Sequence, residues 1–136
     1  MKGFKTIHVR SDQYIQFIDI TREISQYISD TNTQDGIIIV YTPHTTAGIT
    51  INENADPAVT ADIEAFLEKK IPHESYFRHM EGNSPSHIMS SYFSASETII
   101  IDNGKPVLGT WQGIYFCEFD GPRSRKVHLK IIEEKD

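Results

Sequence analysis

The run Gly36-Ile37-Ile38-Ile39-Val40-Tyr41-Thr42 decides the architecture. Its four consecutive β-branched residues, Ile37 to Val40, are apolar on both strand faces, which predicts a strand at the centre of a sheet. Pro43-His44-Thr45-Thr46 interrupts the run. Residues 47–52 then alternate, Ile49 and Ile51 against Thr50 and Asn52, as a strand with one polar face does. Upstream, Ile7 and Val9 alternate with Thr6, His8 and Arg10, and residues 14–20 are rich in aromatic and β-branched types. Downstream, residues 97–101 form another such run. Asn103-Gly104 after it is the strongest hairpin signal in the chain, with Val107-Leu108 beginning the return. Residues 111–120 and 126–132 complete a count of about eight strands.

Three short helices fit between them. Thr21 is placed to cap the first, with Ile24, Tyr27 and Ile28 on one side. Asp56-Pro57 joins an acidic N-cap to a proline at the first helical position, ahead of an apolar stripe of Val59, Ile63, Phe66 and Leu67. Ser84-Pro85 repeats the start signal for a helix running to about Phe93. Strands at both ends with two adjacent helices between them favour an α+β fold with a mainly antiparallel sheet or sandwich over a doubly wound one.

The chain has 136 residues, a length that suits one domain spanning 1–136. Its 13 basic and 19 acidic side chains leave a net charge of −6, which argues against nucleic acid or an anionic membrane as a general partner. The N-terminus lacks the apolar segment of a targeting sequence, and the longest apolar run is far too short to span a bilayer. The single Cys117 cannot form an internal disulfide, so a cytoplasmic protein is expected. Its strand phase groups it with Trp111, Tyr115 and Phe119, which predicts a buried, inert thiol rather than a nucleophile. Dinucleotide fingerprints, P-loops, GxSxG elbows and CxxC pairs are absent.

Polar residues concentrate in three places. Residues 44–57 crowd hydrogen-bonding groups at a strand end and the following helix start; they make either a site or ordinary turn and cap residues. Residues 79–87 hold His79 and His87. These could meet at one metal with a third ligand such as His44, or be two unrelated surface histidines. In residues 109–125, Gln112, Glu118 and Asp120 share a strand face, which either lines a site or meets water. Arg123 and Arg125 follow a Gly-Pro turn, where their guanidinium forks could hold a phosphate or carboxylate.

Together these stretches resemble the YjbQ family. The resemblance is carried by His44-Thr45-Thr46-Ala47 leading into Ile51-Asn52-Glu53-Asn54 and Asp56-Pro57, and by His79 with Asn83 and His87-Ile88. Leu108-Gly109-Thr110-Trp111-Gln112-Gly113 running into Glu118-Phe119-Asp120-Gly121-Pro122-Arg123 completes it. Ser94 and Pro106 stand where that family often has Gly and Leu; both fall between the motifs, in or beside predicted loops.

The resemblance implies a compact α+β domain with a β-sandwich-like core, assembled as a homotrimer with the polar motifs converging in clefts between subunits. It also implies a secondary thiamine-phosphate synthase activity on small anionic metabolites. In such a site His44, His79 and His87 read as ligands of a divalent metal (Zn or Mg). His44, Glu53, Asp62, His87 and Glu118 are the acid–base, oxygen-ligand or otherwise catalytic candidates. Thr45, Asn52, Asn54, Asn83, Trp111, Gln112, Asp120 and Arg123 are the candidates facing the substrate. A metal-dependent hydrolase or lyase of a small anionic metabolite and a non-catalytic small-ligand binding trimer are the competing readings.

Overall fold

A computed structural model describes residues 1–135. The order is β1 (Phe4–Arg10), β2 (Gln16–Asp19), α1 (Thr21–Asp30), β3 (Gly36–Tyr41), β4 (Ala47–Glu53) and α2 (Pro57–Lys70). There follow α3 (Ser84–Tyr92), β5 (Ser96–Asp102), β6 (Lys105–Pro106), β7 (Gln112–Glu118) and β8 (Ser124–Glu133). The strands make a five-stranded sheet, β1-β8-β3-β5-β6, and a three-stranded sheet, β2-β7-β4, paired antiparallel throughout among the described residues. The expected α+β class, eight strands and three helices are all present. No helix among the described residues is long and apolar enough to cross a membrane.

Period-two alternation explains the sandwich. Ile38 and Val40 of β3 share a phase with Ile99 and Ile101, with Val127, Leu129 and Ile131, and with Ile7 and Val9. That row meets Ala47, Ile49, Ile114 and Phe116 of the smaller sheet, and Ile24, Tyr27 and Ile28 of α1 complete this core. The other face of β7 contributes Tyr115, Cys117 and Phe119 to a second core with Phe17, Leu67 and Met89, under α2 and α3. β7 is therefore covered on both sides. The face that was expected to line a site or meet water is thus mostly interior: Ile114, Phe116 and Glu118 are buried and Gln112 at its end is exposed, with β2 and β4 flanking the strand laterally.

The outward phase of β3 has no such cover. Ile37, Ile39 and Tyr41 lie beside Ile100 and Ile132 on the outer face of the large sheet, where Tyr41 is 43%, Ile100 60% and Ile132 51% exposed. The doubly apolar run thus marks a laterally central strand whose second face is open within one chain.

The local signals behave as their chemistry requires. Asp56 caps α2 by accepting from Ala58 N at 2.9 Å, with Pro57 next to it. Asn103 and Gly104 have φ of 53° and 79°, the paired positive angles of a type I′ turn. Pro106 lies in β6 at the edge of the sheet, where a missing N–H is tolerated. Two expectations change. Thr21 is the first residue of α1 rather than its cap, and its hydroxyl is held by Asp19 Oδ1. Phe66 leaves the apolar stripe of α2 and is 60% exposed; Ile63, Leu67 and Ile71 do the packing.

Phe116 is fully buried between the two sheets. Phe116→Ala is expected to cost about 3–5 kcal/mol through lost burial and a residual cavity. Urea unfolding checks it as a drop in midpoint with an unchanged slope.

Candidate functional site

The sequence-predicted residues fall into two groups at opposite ends of the three-stranded sheet. β4 and β7 pair from Ala47↔Glu118 at one end to Glu53↔Gln112 at the other. Six residue steps at ~3.3 Å separate the ends by roughly 20 Å.

At the first end a buried ion pair organises the loops. Glu118 is fully buried and pairs with both Nε and Nη2 of Arg125, itself 5% exposed. Glu118 also accepts from Ser11 Oγ at 2.7 Å and from Asp120 N at 2.9 Å. Arg125 Nη2 continues to Thr46 Oγ1 at 2.8 Å and Thr46 O at 3.2 Å. Glu118 was expected as a free catalytic carboxylate and Arg125 as an anion-binding fork. Both are corrected: the two carboxylate oxygens and Arg125 Nε and Nη2 are engaged with each other, with Ser11 and Thr46 and with the Asp120 amide, inside the protein. The signal was present in the sequence, because Arg125 shares its strand phase with Val127, Leu129 and Ile131. An inward arginine calls for a buried carboxylate.

Around this pair lie the accessible groups. Asp120 accepts from Asn83 Nδ2 and from Arg123 Nη2, each at 2.9 Å, so it ties the start of α3 to the β7–β8 turn. Arg123 keeps half its side chain exposed. Asn83 Oδ1 and Ser86 Oγ are buried there without a partner among the described residues. Arg10, Ser11, Pro122, Arg123 and Ser124 line a concavity of about 260 Å³. A larger one, about 380 Å³, lies along Gly3, Thr31 and residues 130–133, away from every predicted site residue. Thr45 is exposed beside the half-buried His44. His79 and His87 lie edge to face, ring centres 5.1 Å apart.

His44 does not join that pair. Among the described residues no three His, Cys, Asp or Glu side chains gather as a metal site would require. His44 Nε2 instead accepts the backbone N–H of Lys126 at 2.9 Å. The expected three-histidine set is therefore not assembled within one chain, and two imidazoles fall short of the three protein ligands of a catalytic zinc. Burial and the nearby Arg125 charge hold His44 below its ordinary value of 6.5, with Glu118 opposing.

The second end carries Asn52, Glu53, Asn54, Trp111 and Gln112. Asn54 donates to Asp19 Oδ2 at 3.2 Å and, through its backbone, to Trp111 O at 2.9 Å. Its side chain lies across Gly113, where a Cβ would come within 2.5 Å of Asn54 Nδ2, so no larger residue fits. Gln112 Oε1 accepts from Gly109 N at 2.7 Å, and Tyr115 hydroxyl donates to the Glu53 carbonyl at 3.1 Å. Trp111 is 62% exposed. Asp62 stands exposed on the second turn of α2 and bonds to neither group. Asp19 was missed; its partnership with Asn54 spans 35 positions and leaves no local signal. Cys117 is buried, and that burial pushes its thiol well up, so it stays protonated.

The family described as "UPF0047 protein YjbQ-like" matches residues 5–134. The chain belongs to this family. The UPF0047 protein MJ1081 of Methanocaldococcus jannaschii is 54% identical over 127 residues, which are 93% of this chain and 92% of that protein. The UPF0047 protein YugU of Bacillus subtilis is 48% identical over 94% of this chain and 98% of its own length. A crystal structure of an uncharacterized YjbQ/UPF0047 protein from Clostridium acetobutylicum aligns with a TM-score of 0.91. It is 52% identical and covers 94% of this chain and 99% of its own.

Arg125→Ala in this UPF0047 chain strands the Glu118 charge in the interior, at an expected cost of about 3–5 kcal/mol; urea unfolding measures it. A second prediction concerns pH. Because His44 lies below its ordinary value, the unfolded chain takes up a proton first as pH falls. That part of the stability is whole above 6.5 and declines below it. His44→Asn should flatten the decline, and an unchanged pH–stability curve in that variant would contradict the assignment.

Proposed function

We propose that the protein is a homotrimer in which the first end of one copy faces the second end of the next, so that each cleft takes a small anionic metabolite. The observation that carries this reading is the division of the polar residues between two ends of one sheet, neither of which is a complete pocket. The open apolar face of Ile37, Ile39, Tyr41, Ile100 and Ile132 supports it, since association would bury that surface. The compartment is the cytoplasm, where a lone buried cysteine is at home.

The reaction is thiamine-phosphate synthesis, as the motif resemblance implies. The ring nitrogen of the thiazole phosphate bonds to the methylene carbon of hydroxymethylpyrimidine diphosphate, while the carbon–oxygen bond breaks and pyrophosphate leaves. Arg123, oriented by Asp120, answers the charge that grows on the leaving group. Trp111 offers an exposed aromatic face to a flat ring, and Asn52 and Gln112 supply amides to its polar edge. His87 is the imidazole available to donate a proton to the departing pyrophosphate oxygen.

Incubating the purified protein with both precursors and Mg²⁺ is expected to yield thiamine phosphate, and His87→Ala to abolish the yield. Full activity in that variant, or no product from the parent protein, would contradict the reaction. Sedimentation equilibrium should return three times the chain mass.

A further inference from the structure

We propose that His44 serves this cleft as a fixed hydrogen-bond donor, presenting Nδ1–H to an anionic oxygen of the ligand, and is neither a metal ligand nor a general base. The ligand of this donor rests on the cleft reading above; the chemistry of the ring does not. Lys126 is in β8, and its backbone N–H points at His44 Nε2 at 2.9 Å. A nitrogen that accepts carries no proton, so a neutral imidazole must hold its proton on Nδ1. Nε2 is thereby unavailable to a metal, and Nδ1–H has no lone pair to offer one.

The ring cannot readily turn to undo this. Arg125 Nη2 bonds to Thr46, two residues beyond His44, and the next residue of the same strand is Lys126. The Glu118–Arg125 pair thus clamps the loop, while the neighbouring backbone clamps the ring. No protein group takes the Nδ1 proton among the described residues, and the half-buried ring leaves that edge reachable. The charges that bear on the ring are Arg125 and Lys126 on the positive side and Glu118 on the negative. The positive groups disfavour an added proton on His44 and favour an anion beside it. The ligand class that follows is an oxyanion, phosphoryl or carboxylate.

Two measurements on the full-length protein test this. Long-range proton–nitrogen NMR should show a protonated Nδ1, a bare Nε2, and a coupling across the hydrogen bond from Lys126 N to His44 Nε2. Zinc ions should leave both His44 nitrogens unmoved. A protonated Nε2, or a zinc-dependent shift of it, would overturn the proposal. Inorganic phosphate is then titrated against the parent protein, His44→Asn and His44→Gln. The amide of Asn can place its N–H where Nδ1–H lies, whereas the longer Gln mimics Nε2. His44→Asn should keep the saturable phosphate shift and His44→Gln should weaken it by about tenfold or more, as loss of a hydrogen bond to a charged group does. Absence of a saturable shift in the parent protein, or equal weakening in both variants, would overturn the oxyanion assignment. Failure of thiamine-phosphate synthesis alone would leave these outcomes untouched, so the two readings fail separately.

Discussion

The Glu118–Arg125 pair is the interaction on which the arrangement depends. Its partners belong to different sheets: Glu118 ends β7 of the smaller one, and Arg125 begins the inward row of β8 in the larger. Removing two charges from water costs several kcal/mol per ion, and the pair survives only when its remaining hydrogen-bonding capacity is filled. Here Ser11, the Asp120 amide and the Nε and Nη2 of Arg125 fill the carboxylate, and Nη2 reaches on to Thr46. Four chain segments therefore meet at one point: the end of β1, the β3–β4 loop, the β7–β8 turn and the start of β8. The accessible polar groups grow from these segments. His44 lies two residues from Thr46, and Asp120 and Arg123 lie within five of Glu118. A charged pair that contributes no chemistry of its own fixes where the chemistry-bearing groups stand.

Most of the fold was readable because it rests on local rules. The alternation of Ile7 and Val9, the Asn103-Gly104 turn and the Asp56-Pro57 cap each act within a few residues, and each is found where expected. What was not readable depends on which layer covers which face. Period two assigns Glu118 and Phe116 to one side of β7 but does not reveal that this side looks into a sandwich. Glu118 therefore read as a site carboxylate rather than as an anchor. Phe66 follows the helical period of its neighbours and still points outward, because α2 packs on the second core mainly through Ile63, Leu67 and Ile71.

The candidate residues were identifiable as a set, yet their grouping was not. Motif order along the chain places Asn52 and Glu53 only a few positions after His44, which suggests neighbours. A strand separates them by its full length: His44 to Thr46 precede β4 and Asn52 and Glu53 end it, while β7 carries Glu118 and Gln112 at the matching ends. Neither end is enclosed, and the outer face of the large sheet is left apolar and open. A composite cleft between copies reconciles these facts through one geometry, with association covering the apolar face and pairing the half-built ends.

Subunit complementation tests that geometry most directly. His87→Ala disables the first end and Trp111→Ala the second. The two variants are co-expressed with different tags, and oligomers bearing both tags are isolated. In a cyclic trimer of either mixed composition, one of the three clefts combines an intact first end with an intact second end. About one-third of the parent activity is therefore predicted from two variants that are each inactive alone. Mixed trimers no more active than the separate variants would contradict the composite cleft.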